Sequence, residues 1–139
     1  MTDVVLKVDE TGALVPREPV EWMVCFVPPI ERQWWHWLIP HRWKHCFAMK
    51  YENGSWMVFE PWWSRMFLAV LTKDEAKYFL AWAERGEILL VKEHIPGRSS
   101  QLRGWLTCAS LIAHLLGRNY WVWTPHALYR KLLREASDV

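Results

Sequence analysis

Asn53-Gly54 is the strongest local constraint on what this chain can fold into. Two apolar runs flank it: His45-Cys46-Phe47-Ala48-Met49-Lys50-Tyr51 before, Trp56-Met57-Val58-Phe59-Glu60 after. A two-residue type I′ turn needs positive φ at both central positions, which Asn and Gly tolerate, and its twist matches that of paired strands. The segment is therefore predicted to fold back on itself as an antiparallel hairpin. If Asn53 and Gly54 are the turn residues, Glu52 pairs with Ser55 and paired numbers sum to 107. His45 then stands opposite Trp62, and Glu60 opposite Phe47. Side chains alternate along a strand, so His45 and Glu60 share a face as diagonal neighbours, about 7 Å apart at Cβ. A glutamate spans that gap. It can hold an imidazole in one tautomer and stabilise its charged form.

The rest of the chain reads as strands with three helices. Glu21 to Val27 is an apolar strand stopped by Pro28-Pro29. Arg65 to Leu71 and Glu87 to Val91 are two more. Thr72 and Glu75 have capping-box spacing, and Ala76, Phe79, Leu80 and Ala83 then line one helical face up to Gly86. Thr124-Pro125 opens a last helix through Arg134, with proline at the first helical position. Residues 30–43 show no clean period and read as an irregular aromatic loop, and Ile95 to Ser100 as another loop. The fold class expected is α+β: a small antiparallel sheet packed against about three helices. Residues 1–18, broken by Pro16 and followed by Pro19, read as a flexible arm, leaving a single domain over 19–139.

Bulk properties exclude several functions. A net charge of +2 with scattered acids and bases argues against nucleic-acid binding driven by charge. The first ten residues lack the basic and apolar regions of a secretory signal, and no run approaches a transmembrane span. The expectation is a soluble protein, cytoplasmic as synthesised. Three cysteines without framework spacing point to a reducing compartment or free thiols. His36, His41, His45 and Cys46 fit no ordinary zinc spacing and have no second pair downstream, so no metal or other cofactor is expected. Twelve tryptophans are far above ordinary usage. Trp34, Trp35, Trp37, Trp62 and Trp63 lie too close in sequence for all to be buried, which implies an aromatic groove or partner surface.

Cys108 is the candidate nucleophile. Arg103 to Gly117 reads as a loop, a polar cap and a short apolar helix ended by Gly117, with Cys108 in its first turn. There the helix dipole and unpaired backbone N–H groups favour thiolate over thiol. Cys108 shares a stripe with Leu111, Ile112 and Leu115, so it points toward the core at the mouth of the helix. With its helix packed on the face that carries His45 and Glu60, the three residues would form a nucleophile, a base and its orienting acid.

A cysteine opening a helix, a histidine starting a strand and a polar residue on the next strand resemble the papain-like, NlpC-type cysteine peptidase superfamily. The order His45, Glu60, Cys108 is similar to its circularly permuted branch, which includes permuted NlpC-type amidases and lecithin–retinol acyltransferase-like enzymes. Trp123-Thr124-Pro125-His126-Ala127-Leu128-Tyr129 is similar to the Thr-Pro-x-x-Leu stretch often seen there. The resemblance covers roughly residues 20–133, as order and spacing. The Asp-Cys-Ser-Gly signature is replaced by Thr107-Cys108-Ala109-Ser110, and the Asn-Cys-Glu-His-Phe signature is absent, so the flanking residues do not identify a substrate. The resemblance implies a permuted papain-like fold and cleavage of a peptide or peptidoglycan-type amide by Cys108, His45 and Glu60. It also implies an oxyanion hole that includes the Cys108 N–H, with Gln101, Ser100 or His41 as candidates for the second donor. Trp34, Trp35, Trp37, His41, Trp62 and Gln101 are the candidate substrate-binding residues. Two other readings stay open. One is an acyltransferase or thioesterase of the same fold; the other is a non-catalytic module that binds a protein partner through the tryptophan-rich loop.

Overall fold

The computed structural model describes residues 8, 12, 20–31, 43–62, 66–94, 107–118 and 120–137. Its elements run β1 (Glu21–Val27), β2 (His45–Glu52), β3 (Ser55–Pro61), β4 (Met66–Leu71), α1 (Lys73–Glu84), β5 (Glu87–Lys92), α2 (Cys108–Leu115) and α3 (Pro125–Ser137). The class is α+β, as the sequence predicts: one five-stranded antiparallel sheet and three helices. The sheet order is β4-β3-β2-β1-β5. Residues 32–42 of the aromatic loop and 95–106 ahead of the Cys108 helix lie outside the described residues, as does nearly all of the predicted arm.

The hairpin forms in the predicted register. Asn53 and Gly54 have φ of 53° and 80°, both positive as a type I′ turn requires. Glu52 pairs with Ser55, and the ladder continues to Ala48 opposite Phe59. β1 then adds to the other side of β2, with Val27 opposite His45 and Phe26 opposite Cys46.

Both faces of the central strands are covered. On one, Phe47, Met49 and Val58 pack with Cys25 and Val27 under α1, through Ala76, Trp82 and Ala83. On the other, Cys46, Ala48 and Phe59 pack with Val24 and Phe26 under α2 and α3, through Cys108, Ile112 and Leu128. Thr72 caps α1 with a complete capping box, its Oγ1 accepting from Glu75 N at 3.2 Å and its own N–H donating to Glu75 Oε1 at 3.0 Å. The turn from α1 into β5 passes hard against β1: a Cβ on Gly86 would stand 1.8 Å from the Phe26 carbonyl oxygen. Glycine is what lets α1 lie this close to the sheet.

The prediction that the Cys108 helix covers the His45 and Glu60 face is not met. By alternation His45 and Glu60 project with Phe47 and Val58 toward α1, whereas Cys108 packs with Cys46 on the opposite face. A sheet buried on both sides offers two apolar faces to each helix, and hydrophobic pattern alone does not choose between them.

Candidate active site

His45 is the first residue of β2, and this position is what makes the site. The β2–β3 ladder ends at Ala48 opposite Phe59, so beyond it no β3 residue closes the sheet beside His45. The imidazole belongs to the α1 face but sits at an open end of the strand, reachable from the α2 side. Lys44 N–H donates to the Val27 carbonyl at 3.3 Å and fixes the entry of the strand to β1.

The ring is 3% exposed. Its Nε2 lies 3.0 Å from Glu60 Oε2, within a buried pair whose carboxylate residue is 7% exposed. With the carboxylate as acceptor, Nε2 carries the proton, which leaves Nδ1 as the ring atom that meets the thiol. Two indoles stack near-parallel to the imidazole: Trp62 at 4.0 Å and 12°, Trp82 at 5.4 Å and 18°. Trp82 is itself held by Nε1–H donating to the Pro28 carbonyl at 2.8 Å. Indole faces favour a cation, so these stacks offset part of the cost of burying an imidazolium.

Cys108 is the first residue of α2 and 6% exposed. Thr107 caps the helix: its Oγ1 accepts from Ser110 N at 3.2 Å and its N–H donates to Ser110 Oγ at 2.8 Å. The Cys108 sulfur lies within hydrogen-bonding reach of the Cys46 thiol and of the His45 imidazole. The bond from Cys46 does most to hold the Cys108 thiol well below its ordinary range. Burial opposes this, and the hydrogen bond and charge of His45, with the Cys46 backbone, reinforce it. Burial alone would push His45 down; hydrogen bonds and charge from Cys108 and Glu60 outweigh it and raise the imidazole to about 9. Cys46 goes the other way, pushed well up by burial and by the neighbouring Cys108. It stays a thiol and donates its S–H. Both shifts run in the direction that favours a Cys108 thiolate beside a His45 imidazolium.

The structure thus brings together Cys108, His45 and Glu60, and adds Trp62 as a wall of the His45 site. Trp34, Trp35, Trp37, His41 and Gln101 lie outside the described residues, as do His36 and Ser100. Trp82 is not singled out by the sequence, and Cys46 is weighed there only as a metal ligand. Alternation along β2 puts Cys46 on the face opposite His45 and so under whichever helix covers that face. Trp82 stands three residues after Phe79, at the margin of the apolar stripe of α1. The exposed tryptophans among the described residues include Trp121 and Trp123, at 62% and 49%, just before α3. Cys25 is a buried thiol pushed up to about 12 by desolvation. All three cysteines are unbridged. Among the described residues no three His, Cys, Asp or Glu side chains converge as metal ligands, and no helix is long and apolar enough to cross a membrane.

No family model, curated protein or solved structure compared with this chain matches it.

Proposed function

We propose that the protein is a cysteine-dependent hydrolase of permuted papain-like type that cleaves an amide bond of a peptide or peptidoglycan-type substrate. The observation that carries this reading is the buried 3.0 Å His45–Glu60 pair beside Cys108 at the first position of a helix, with the thiol shifted toward its ionised form. In the reaction Cys108 Sγ attacks the amide carbon, and the developing oxyanion accepts from the Cys108 N–H at the start of α2. The His45 imidazolium gives its Nδ1 proton to the leaving amine, so the C–N bond breaks as the thioester is completed. The neutral ring then takes a proton from water, the hydroxide adds to the thioester, and the C–S bond breaks to re-form the thiolate beside the imidazolium; the carboxylic acid released gives its proton to solvent. Glu60 keeps Nε2–H oriented throughout and stabilises each charged state of the ring.

The test is the pH dependence of Cys108 alkylation by iodoacetamide in a Cys25→Ala background, followed by turnover on a peptide library. We expect a titration midpoint well below the free-cysteine value of about 8.5, returning toward it in His45→Ala. Cys108→Ala should abolish turnover, and Glu60→Gln should slow it less than His45→Ala. An ordinary midpoint indifferent to His45, or comparable turnover in Cys108→Ala, would overturn the mechanism and leave a non-catalytic binding module as the better reading.

A further inference from the structure

On the α1 face, next to His45 and away from the thiol, the structure holds a cavity of about 410 Å³. This is within the range of small-molecule sites. Its deepest members are Glu60 and Trp82, both buried; Phe79 is half-buried, and Trp62, Ile30 and Arg85 stand at the more exposed rim. Aromatic and aliphatic carbon therefore makes the walls, and two charged groups face the space. They are not equivalent. Glu60 has its Oε2 on His45 Nε2 at 3.0 Å, so its carboxylate is already committed to the imidazole. Arg85, at the C-terminal end of α1, has no ion pair or side-chain hydrogen bond among the described residues. Among the described residues, the charged group of the cavity left without a partner is therefore the Arg85 guanidinium, in a setting that offers an incoming group aromatic faces for its body and a planar double donor for its head. Guanidinium geometry suits a carboxylate, and an amine would meet repulsion from the same group.

We propose that this cavity is a binding site for a small apolar carboxylate, with an aryl or branched-alkyl body against Trp62, Phe79 and Trp82 and the carboxylate on Arg85. The site stands on the cavity and its charge rather than on the thiol chemistry. Its test is therefore run on both the wild-type protein and Cys108→Ala, so that a failure of the hydrolase reading leaves it untouched.

The probes are 3-phenylpropionate, 3-phenylpropionamide and 3-phenylpropylamine. The readout is the indole N–H resonances of Trp62 and Trp82, each assigned by Trp→Phe substitution and followed through titration at low salt. The expected result is saturable shifts at these two indoles, with the carboxylate binding about fivefold tighter than the amide, a difference of the size a partly exposed ion pair supplies. The amine should bind most weakly. Arg85→Gln, an exposed substitution that leaves the sheet and core untouched, should reduce the carboxylate to the affinity of the amide, and added salt should do the same in part. Phe79→Ala should weaken carboxylate and amide together. Equal binding of carboxylate and amide, a preference that survives Arg85→Gln, or no shift of either indole at tens of millimolar would overturn the proposal.

Discussion

Cys46 is the residue whose role at this site is easiest to overlook. It follows His45 directly in sequence, faces the other side of the sheet, and there its thiol meets the Cys108 sulfur. A thiolate in an apolar cluster is costly to desolvate unless donors meet it. Here two do: His45, and the S–H that burial keeps on Cys46. Removing one donor should therefore raise the titration of Cys108 without removing the imidazole. Cys46→Ala is expected to move the alkylation midpoint of Cys108 upward, toward but short of the value in His45→Ala, while the His45–Glu60 bond persists. A midpoint unchanged from the parent protein would show that the Cys46 thiol contributes nothing and that the imidazole alone holds the thiolate. Part of this arrangement is legible in the sequence. The turn residues Asn53 and Gly54 dictate the register, and the register dictates that Glu60 can reach His45. The partner of Cys46 is not legible, because it depends on where a helix some sixty residues later comes to rest.

At the scale of elements, local signals and long-range ones part company. The capping box of α1 and the end of α2 before Gly117 follow from residues within a few positions of each other, and both are present as the sequence predicts. The choice of face for α2 follows from the whole sheet. Phe47, Met49 and Val58 make one apolar surface and Cys46, Ala48 and Phe59 another, so the strands read as nearly continuous hydrophobic runs that give a helix no preference. α1 joins β4 to β5, the two opposite edge strands, so it must cross one face of the sheet, and its C-terminal turn passes close over β1. Gly86 is the point of closest approach, and the atom in the way of any larger residue is the Phe26 carbonyl oxygen, part of the backbone of β1. Backbone in a ladder cannot turn aside as a side chain can. Gly86→Ala should push α1 off the sheet and cost on the order of 1–3 kcal/mol, the usual penalty for forced overpacking. The loss is read as a lower urea midpoint at unchanged slope. Because Trp82 hangs from α1 and stacks on His45, the same variant should also loosen the ring. A midpoint within a few tenths of a kcal/mol of the parent would mean that this contact relaxes freely and does not set the depth of α1.

For the whole molecule, the same ion pair makes a prediction about stability against pH, and its sign follows from counting protons. His45 is raised in the folded state from 6.5 to about 9, so its contribution is complete below pH 6.5 and is lost as pH rises through 9. Cys108 is depressed, so its contribution is complete above its unfolded value, about 8.5, and is lost as pH falls through its low folded value. Between about 6.5 and 8.5 the folded pair holds one proton, on the imidazole, and the unfolded pair also holds one, on the sulfur. The two slopes cancel, and this pair adds no pH dependence to stability there. Below pH 6.5 the unfolded histidine takes up a second proton that the folded pair refuses until Cys108 itself protonates. Stability from this source then falls with decreasing pH, at about 1.4 kcal/mol per unit. Other carboxylates and histidines add slopes of their own, so the comparison is between the parent and Cys108→Ala/His45→Gln, measured by urea unfolding from pH 5 to 8.5. The difference in stability between the two proteins should stay level from 8.5 down to 6.5 and shrink steadily below it. A level difference across the whole range would mean that the folded pair takes up the second proton as readily as the unfolded chain does. In that case the thiolate and imidazolium do not coexist at rest, and the nucleophile would have to be generated only when substrate arrives.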